Sequence, residues 1–204
     1  LTLVEMSKDF ACSIVTRKMQ GQSMLAWAVL LGTIPVGLTG LFFKDTIELN
    51  LRSYEVVAFA TIFFGFLLGF SDWLHRFLGR SREFIRSSDI LIVGLFQALA
   101  LIPGTSRSGI TITAALLIGL SRSLSIKYAF LLSIPVIALA TLLKTFDLVN
   151  EINQVDWTLL LIGFVITLIT AYTTIVFFIR LVERIGFMPF VIYRILLGVT
   201  LLLL

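Results

Sequence analysis

The sequence predicts an all-α, polytopic integral membrane protein whose helical bundle contains a re-entrant helix hairpin. Hydrophobic residues make up 58% of the 204 residues and charged residues only 14%, whereas a soluble domain carries about 25% charged residues. Several uncharged runs reach the length of about 20 residues that a helix needs to cross a bilayer. Two shorter apolar runs flank a polar segment, and these predict the hairpin. We therefore expect one integral membrane domain over residues 1–204.

The charge and cysteine content exclude several kinds of site. The net charge of +4 is too small and too diffuse for a nucleic-acid surface, so we expect the membrane, and no nucleic acid, as a partner. The single cysteine, Cys12, excludes an internal disulfide. One Cys and one His cannot form a Cys/His metal cluster. No metal site is therefore predicted within this chain.

The first part of the chain predicts a lead-in followed by two spans. Charged and apolar residues interleave over residues 1–23, which indicates an interfacial, partly helical segment. Residues 24–43 form an uncharged run long enough to span, and a second span is predicted over residues 56–70. The second span contains Gly65-Phe-Leu-Leu-Gly69, a small-xxx-small pattern typical of close helix contacts. A contact inside the chain is favoured, and a homodimer face is the alternative.

Basic loops predict the orientation of the later spans. Lys and Arg exceed Asp and Glu in loops 71–89 and 180–187, which places both loops inside, whereas the acidic loop 144–156 lies outside. The remaining spans are predicted at residues 128–143, 157–179 and 188–204. Since the span that starts at residue 128 leads outside, the chain must return to the inner side before it. Because the chain must begin and end on the same side of the membrane between these two spans, a re-entrant hairpin over residues 90–120 is favoured over one broken span.

The hairpin consists of two half-length apolar runs. Ile90 to Ile102 has 13 residues and Ile110 to Leu120 has 11, and both are too short for a hydrocarbon core of about 30 Å. Between them lies a polar segment, Pro103 to Gly109, which we call the knot. Irregular backbone at membrane depth survives only when it is buried in protein or lines a wet cavity. An arginine there, Arg107, is costly unless it has an anionic partner.

The knot has the composition of a phosphate-binding loop. Its glycines let backbone N–H groups converge on a ligand, and the helix that follows points its free N–H groups back into the knot. Arg107 can grip phosphate oxygens with two parallel hydrogen bonds. Short hydroxyl donors add to these groups: Thr105, Ser106, Ser108, Thr111 and Thr113. The predicted substrate-binding residues are Gly104, Thr105, Ser108, Gly109 and Gln97.

Structural alternatives remain open for these residues. The Pro-Gly step could simply break the helix, with the hydroxyls as caps and Arg107 paired with a helix C-terminus or a carboxylate. Gln97 could make an interhelical hydrogen bond instead of facing a cavity. Arg194 could line the cavity or snorkel, and a structural role is favoured. A lone loop histidine, His75, is interpreted as incidental rather than catalytic.

Several motifs together resemble the bacterial undecaprenyl-diphosphate phosphatases, the bacitracin-resistance protein family. The central one is Phe96-Gln-Ala-Leu-Ala-Leu-Ile-Pro-Gly-Thr-Ser-Arg-Ser-Gly-Ile-Thr111, which is similar to the family's second signature. The likeness extends to Leu31–Pro35, Phe43–Ile47, Phe130–Pro135 and Pro189–Arg194. The resemblance therefore covers most of the chain.

The resemblance implies an enzyme that removes the terminal phosphate of undecaprenyl diphosphate and so recycles the lipid carrier for cell-wall synthesis. It implies an all-helical inverted-repeat fold, of which this chain is half plus flanking spans, in the bacterial inner membrane. A divalent cation, Mg²⁺ or Ca²⁺, would support the activity. In the family's Ser-Arg-Ser-Gly motif the arginine binds the diphosphate, while the first serine and the following threonine assist. These roles map here onto Arg107, Ser106 and Thr111.

One family signature is missing from the sequence. The family carries a Glu-rich stretch and a Ser-Ser-Thr-Gly-His turn on an earlier hairpin, and neither is present here. We therefore expect this chain to be the C-terminal portion of the enzyme, with half of the catalytic site absent. A transporter or flippase for a phosphorylated lipid, and a noncatalytic membrane scaffold, are the alternative functions.

Overall fold

The computed structural model describes residues 3–16, 18, 21–79, 81–150 and 157–203. The helices are α1 (Leu3–Thr16), α2 (Ser23–Asn50), α3 (Tyr54–Leu78), α4 (Ser87–Ala98), α5 (Arg107–Leu117), α6 (Arg122–Asn150), α7 (Trp157–Ile185) and α8 (Met188–Leu202). A 3₁₀ turn, Leu99–Leu101, follows α4. These described ranges contain no strand, and α2, α3, α6 and α7 are long and apolar enough to cross a membrane. The all-α, multi-pass fold class is thus confirmed.

Several helices continue beyond the apolar runs that predicted them. Residues 71–78, predicted as part of a basic loop, form the last turns of α3, which ends at Gly79 with a left-handed φ of 60°. In the same way α2 continues to Asn50 and α6 through residue 150. Helical hydrogen bonds do not require apolar side chains, so a helix can extend past the hydrocarbon region until a residue such as glycine ends it. By contrast α8 is short, with 15 residues.

Parts of two predicted loops lie outside the described residues. These are Arg80, in the basic loop, and residues 151–156, in the acidic loop. The rest of the basic loop, 81–86, connects α3 to α4.

A helical hairpin is formed by α4 and α5, and its two ends lie side by side. The amide of Arg82, before α4, donates to the carbonyl of Gly119, after α5, at 2.9 Å. The amide of Ser121 donates back to the carbonyl of Arg82, also at 2.9 Å. The Arg82 guanidinium forms a forked pair with Asp89 of α4, at 2.9 and 3.2 Å, and donates to the Ile118 carbonyl at 2.8 Å. The chain therefore enters and leaves the hairpin at one place, as a re-entrant segment must.

The base of the hairpin shares one end of the bundle with the end of α3 and the start of α6. Asp72, buried near the end of α3, accepts hydrogen bonds from Arg76 at 2.9 Å and from Arg122 Nε, at the start of α6, at 2.8 Å. We call this the basic end of the bundle. The knot lies at the other tip of the hairpin.

The hairpin helix α5 lies at the centre of the protein. Residues 109–116 are all buried. Its side chains contribute to three apolar clusters. One, with α2, α4 and α6, is built around Ala114, Ala115, Val93 and Leu132. A second, with α3, α6, α7 and α8, is built around Ile112, Leu116, Leu68 and Val191, and a third joins Ile110 to Ala60 and Phe64 of α3. A helix that is buried on all sides is held in place by its neighbours. The start of α5, and with it the knot, is therefore rigidly positioned.

Glycines bring α3 and α8 into close contact. A Cβ atom at Gly65 would lie 3.1 Å from the Cβ of Arg194, and one at Gly69 would lie 3.1 Å from Val191 Cγ1. From the opposite helix, a Cβ at Gly198 would lie 2.9 Å from the Ala58 carbonyl oxygen. The small-xxx-small pattern is therefore used inside the chain, against α8. The homodimer stays a prediction.

This close contact predicts a stability effect for Gly198→Ala. The added methyl must displace the backbone of α3, so we expect a loss of about 1–3 kcal/mol, the usual cost of overpacking. The matched control is Gly163→Ala in α7, where a Cβ would meet nothing within 4 Å. Both substitutions gain the same helix propensity. The difference between the stabilities of the two variants therefore measures the cost of the close contact alone. Unfolding midpoints in detergent measure it, and equal midpoints for the two variants would contradict the packing.

Candidate functional site

The knot joins the 3₁₀ turn to α5 and lies against the first half of α3. The Thr61 hydroxyl donates to the Val57 carbonyl at 2.7 Å and approaches the Gly104 carbonyl at 3.3 Å. Thr61 follows Tyr54, where α3 begins, by seven residues, or about 10 Å along the helix. The knot is therefore inside the bundle, nearer the end opposite to the basic end.

Two residues of the knot have left-handed backbone conformations. Gly104 has a φ of 90°, and a Cβ there would collide with the Val57 carbonyl oxygen and lie 2.9 Å from Thr61 Oγ1. Only glycine meets both conditions. Ser106 has a φ of 66° and caps α5, because its Oγ accepts a hydrogen bond from the Gly109 amide at 3.3 Å. A non-glycine residue in this conformation costs on the order of 1–3 kcal/mol, a strain that is typical of functional sites.

Arg107, the first residue of α5, carries a buried nitrogen without a partner. Its side chain is half-buried, and Nη1 is enclosed with no hydrogen-bond acceptor among the described residues. No described carboxylate forms an ion pair with Arg107. The alternative in which Arg107 pairs with a carboxylate or a helix C-terminus therefore has no support in the described part of the chain. Arg107 and Ser108 also provide first-turn N–H groups, which have no partner within the helix.

The hydroxyl residues predicted around the knot divide into two groups. Thr111 and Thr113 are buried and face the helix backbone, where Thr111 donates to the Arg107 carbonyl at 2.9 Å and Thr113 to the Gly109 carbonyl at 2.8 Å. Thr105 is buried as well, but its Oγ1 has no partner among the described residues. Ser106 is exposed and Ser108 half-buried. The structure thus leaves Ser106 and Ser108 accessible at the knot surface, buries the unpartnered hydroxyl of Thr105 beneath it, and uses Thr111 to stabilise the first turn of α5.

Gln97 lies against α2 rather than against the knot. It is fully buried, and its Nε2 donates to the Gly32 carbonyl at 3.4 Å, a long hydrogen bond. Its Oε1 has no partner among the described residues. This is the interhelical contact that the sequence left as an alternative, and a role in substrate binding stays a prediction.

Two residues outside the predicted site contact the knot: Thr61, which the sequence did not indicate, and Arg194, for which a structural role was favoured and a cavity-lining role was the alternative. Arg194 of α8 donates from Nη2 to the carbonyls of Gly104, at 2.7 Å, and Thr105, at 2.8 Å. Thr61 of α3 contacts Gly104 as described above. The position of Arg194 inside an apolar run was a signal of burial, but its partner lies 90 residues earlier in the chain. Thr61 carried no signal, because a threonine within a span is common.

The described residues contain no cluster of the side chains that usually bind a divalent cation. No group of three or more His, Cys, Asp or Glu side chains lies together within the described ranges. The groups that face the knot are amides, hydroxyls and guanidinium nitrogens, whereas Mg²⁺ and Ca²⁺ require oxygen ligands, usually carboxylates. His75 lies 14 residues from Thr61 on α3, about 21 Å away along the axis. The divalent cation therefore stays an expectation of the resemblance.

The sequence matches known proteins over nearly its whole length. Residues 2–200 match the family model described as bacitracin resistance protein BacA. An undecaprenyl-diphosphatase of Ruthia magnifica subsp. Calyptogena magnifica is 55% identical over 193 residues, which cover 95% of this chain and 73% of that protein. Undecaprenyl-diphosphatase 2 of Stutzerimonas stutzeri (strain A1501) is 53% identical over 201 residues, 98% of this chain and 74% of that protein.

Proposed function

The chain belongs to the bacitracin resistance protein family, and from this premise we propose that it acts in the hydrolysis of undecaprenyl diphosphate. Water attacks the terminal phosphorus, the bond from that phosphorus to the bridging oxygen breaks, and undecaprenyl phosphate and inorganic phosphate are released. The names of the relatives support this hydrolase over the transporter and scaffold alternatives. The substrate is then a polyprenyl diphosphate lipid that reaches the knot from the membrane.

The observation that carries this proposal is the unpartnered guanidinium nitrogen of Arg107 at the start of α5. A buried cation without a counter-ion is unstable unless a ligand provides the negative charge. The first turn of a helix adds N–H groups and a favourable dipole for the same anion. A diphosphate headgroup satisfies both requirements. Arg107 and these amides would also stabilise the charge that develops on the transferred phosphoryl group.

The role of Ser106 in this proposal is to shape the site. Its Oγ accepts a hydrogen bond from the Gly109 amide. No described histidine or carboxylate makes a hydrogen bond to it that would activate it as a nucleophile. We therefore assign binding, orientation and charge stabilisation to the knot. The activation of water is not assigned to any described residue.

We infer that the protein functions in the bacterial inner membrane with its basic end in the cytoplasm. The positive-inside rule supports this orientation. The knot lies beside Val57 and Thr61, near the start of α3, and so nearer the opposite face. The lipid headgroup would then enter from the extracytoplasmic side.

The proposal is tested with the protein in lipid nanodiscs. We expect it to bind inorganic pyrophosphate by calorimetry. Release of inorganic phosphate from undecaprenyl diphosphate then tests whether this chain also suffices for catalysis. Empty nanodiscs provide the background, and undecaprenyl phosphate is the control for a lipid that has a phosphate group but no phosphoanhydride bond to cleave. Binding without release would restrict this chain to the binding role. Absence of both would contradict the proposal.

A further inference from the structure

One side chain from the last described helix reaches the knot and bonds its backbone. Arg194 is 9% exposed, and its Nη2 donates to two consecutive carbonyls, Gly104 at 2.7 Å and Thr105 at 2.8 Å. The route of the side chain is confined, since it passes Gly65 of α3 and ends at Gly109 of α5. A Cβ at Gly109 would lie 2.9 Å from Arg194 Nη1. The guanidinium is therefore held between three elements of the structure.

The charge of Arg194 has no counterpart in the described part of the protein. No described carboxylate pairs with it, and Nη1 is buried without a partner. Two carbonyl bonds alone could be made by a neutral donor. A second cation at the knot, in addition to Arg107, is unfavourable by mutual repulsion unless an anion lies close to both. The unpaired charge of Arg194 therefore indicates a role at the anion site in addition to packing between helices.

The two carbonyl bonds also determine where the amides of the knot point. In a trans peptide the C=O and N–H groups point in opposite directions. A carbonyl of Thr105 that is held by Arg194 therefore turns the Ser106 N–H away from α8. The same hydrogen bond stabilises the left-handed backbone conformation of Ser106, whose φ is 66°. Such a conformation persists only when surrounding contacts hold it.

We propose that Arg194 is the positioning residue of the phosphate site: by bonding the carbonyls of Gly104 and Thr105, it holds the knot in the shape that presents Arg107 and the amides of α5 to a diphosphate. The assignment to a diphosphate rests on the proposed function. The assignment of Arg194 as the group that holds the knot rests on the two hydrogen bonds alone.

The test compares two variants of Arg194 in the nanodisc-bound protein. Arg194→Met keeps much of the side-chain length but removes the charge and the donors, and Arg194→Lys keeps the charge without the planar fork. The matched control is Arg180→Met, an exposed arginine on α7. One measurement is hydrogen–deuterium exchange of residues 103–109 without ligand. The other is the affinity for inorganic pyrophosphate.

We expect Arg194→Met to speed exchange in residues 103–109 while residues 118–121, at the hairpin base, keep their protection. Pyrophosphate affinity should fall by about 10- to 100-fold, as for the loss of a charge-assisted hydrogen bond. Arg194→Lys should recover part of both effects, and Arg180→Met should change neither. Rescue by lysine separates positioning by a cation from a role in packing alone.

Unchanged exchange of residues 103–109 in Arg194→Met would overturn the proposal. If that variant fails to fold, Arg194→Lys decides: faster exchange limited to the knot supports the proposal, and wild-type exchange with wild-type affinity overturns it. Failure of the proposed function gives a different result, because the unsubstituted protein would then not bind pyrophosphate. In that case the exchange measurement still decides whether Arg194 holds the knot.

Discussion

Replacing Arg107 by alanine is expected to reduce pyrophosphate affinity by about 10- to 150-fold, since hydrogen bonds to charged groups contribute about 1.5–3 kcal/mol. Where phosphate release is measurable, it should fall by about 100- to 1,000-fold, as for the removal of one preorganised donor to a developing charge. Arg107→Lys keeps the charge but loses the forked geometry. Its pyrophosphate affinity should therefore lie between that of the unsubstituted protein and that of Arg107→Ala. Titration calorimetry and a phosphate-release assay measure these effects.

The same substitution should have the opposite effect on the ligand-free protein. Nη1 of Arg107 is buried without a partner, so removing the guanidinium removes a desolvation cost. The unfolding midpoint of Arg107→Ala without anion should therefore equal or exceed that of the unsubstituted protein. Arg180→Ala, on the exposed side of α7, is the control for the loss of a positive charge. A clear loss of stability with unchanged pyrophosphate affinity would indicate a structural arginine and contradict the assignment.

Gly104→Ala should have the largest effect on the shape of the knot. Alanine at a φ of 90° is strained, and its methyl would collide with the Val57 carbonyl oxygen. Strain and overpacking each cost on the order of 1–3 kcal/mol, so the knot should shift rather than absorb both. We expect a lower unfolding midpoint and loss of pyrophosphate binding together.

The control for this prediction is Gly79→Ala, at the end of α3. Gly79 also has a positive φ, of 60°, but a Cβ there would meet nothing within 4 Å. It therefore carries the conformational cost without the collision, about 1–2 kcal/mol. Its pyrophosphate affinity should equal that of the unsubstituted protein. If the two alanine variants behaved alike, the contact between Gly104 and α3 would not be needed for the site.

Features that depend on neighbouring residues in the chain could be predicted from the sequence. The short runs on either side of Pro103 indicated the hairpin, because neither could cross a bilayer. The density of donors between Gly104 and Gly109 indicated an anion site. Both inferences needed only length, polarity and the chemistry of neighbouring residues. The roles of Ser106, Arg107 and Thr111 as catalytic residues stay predictions.

The remaining features depend on contacts between distant parts of the chain. Arg194 bonds a carbonyl 90 residues away, and Gln97 faces α2 across 65 residues, so no local pattern could assign their partners. Helix ends were also missed. The polar side chains within residues 71–78, Asp72 and Arg76 among them, resembled the start of a loop, although the helix hydrogen bonds continue there. Tertiary packing, rather than composition, decides each of these cases.

The contact between Arg194 and the knot has a consequence for biosynthesis. Roughly 70 residues separate the end of α5 from the start of α8, which corresponds to on the order of 4–14 s of translation at 5–20 residues per second. During that interval the hairpin can already lie in the membrane, but the carbonyls of Gly104 and Thr105 still lack their donor. The knot therefore gains this contact only when α8 has been made. A nascent chain released before that point would be inserted without the donor that holds the knot.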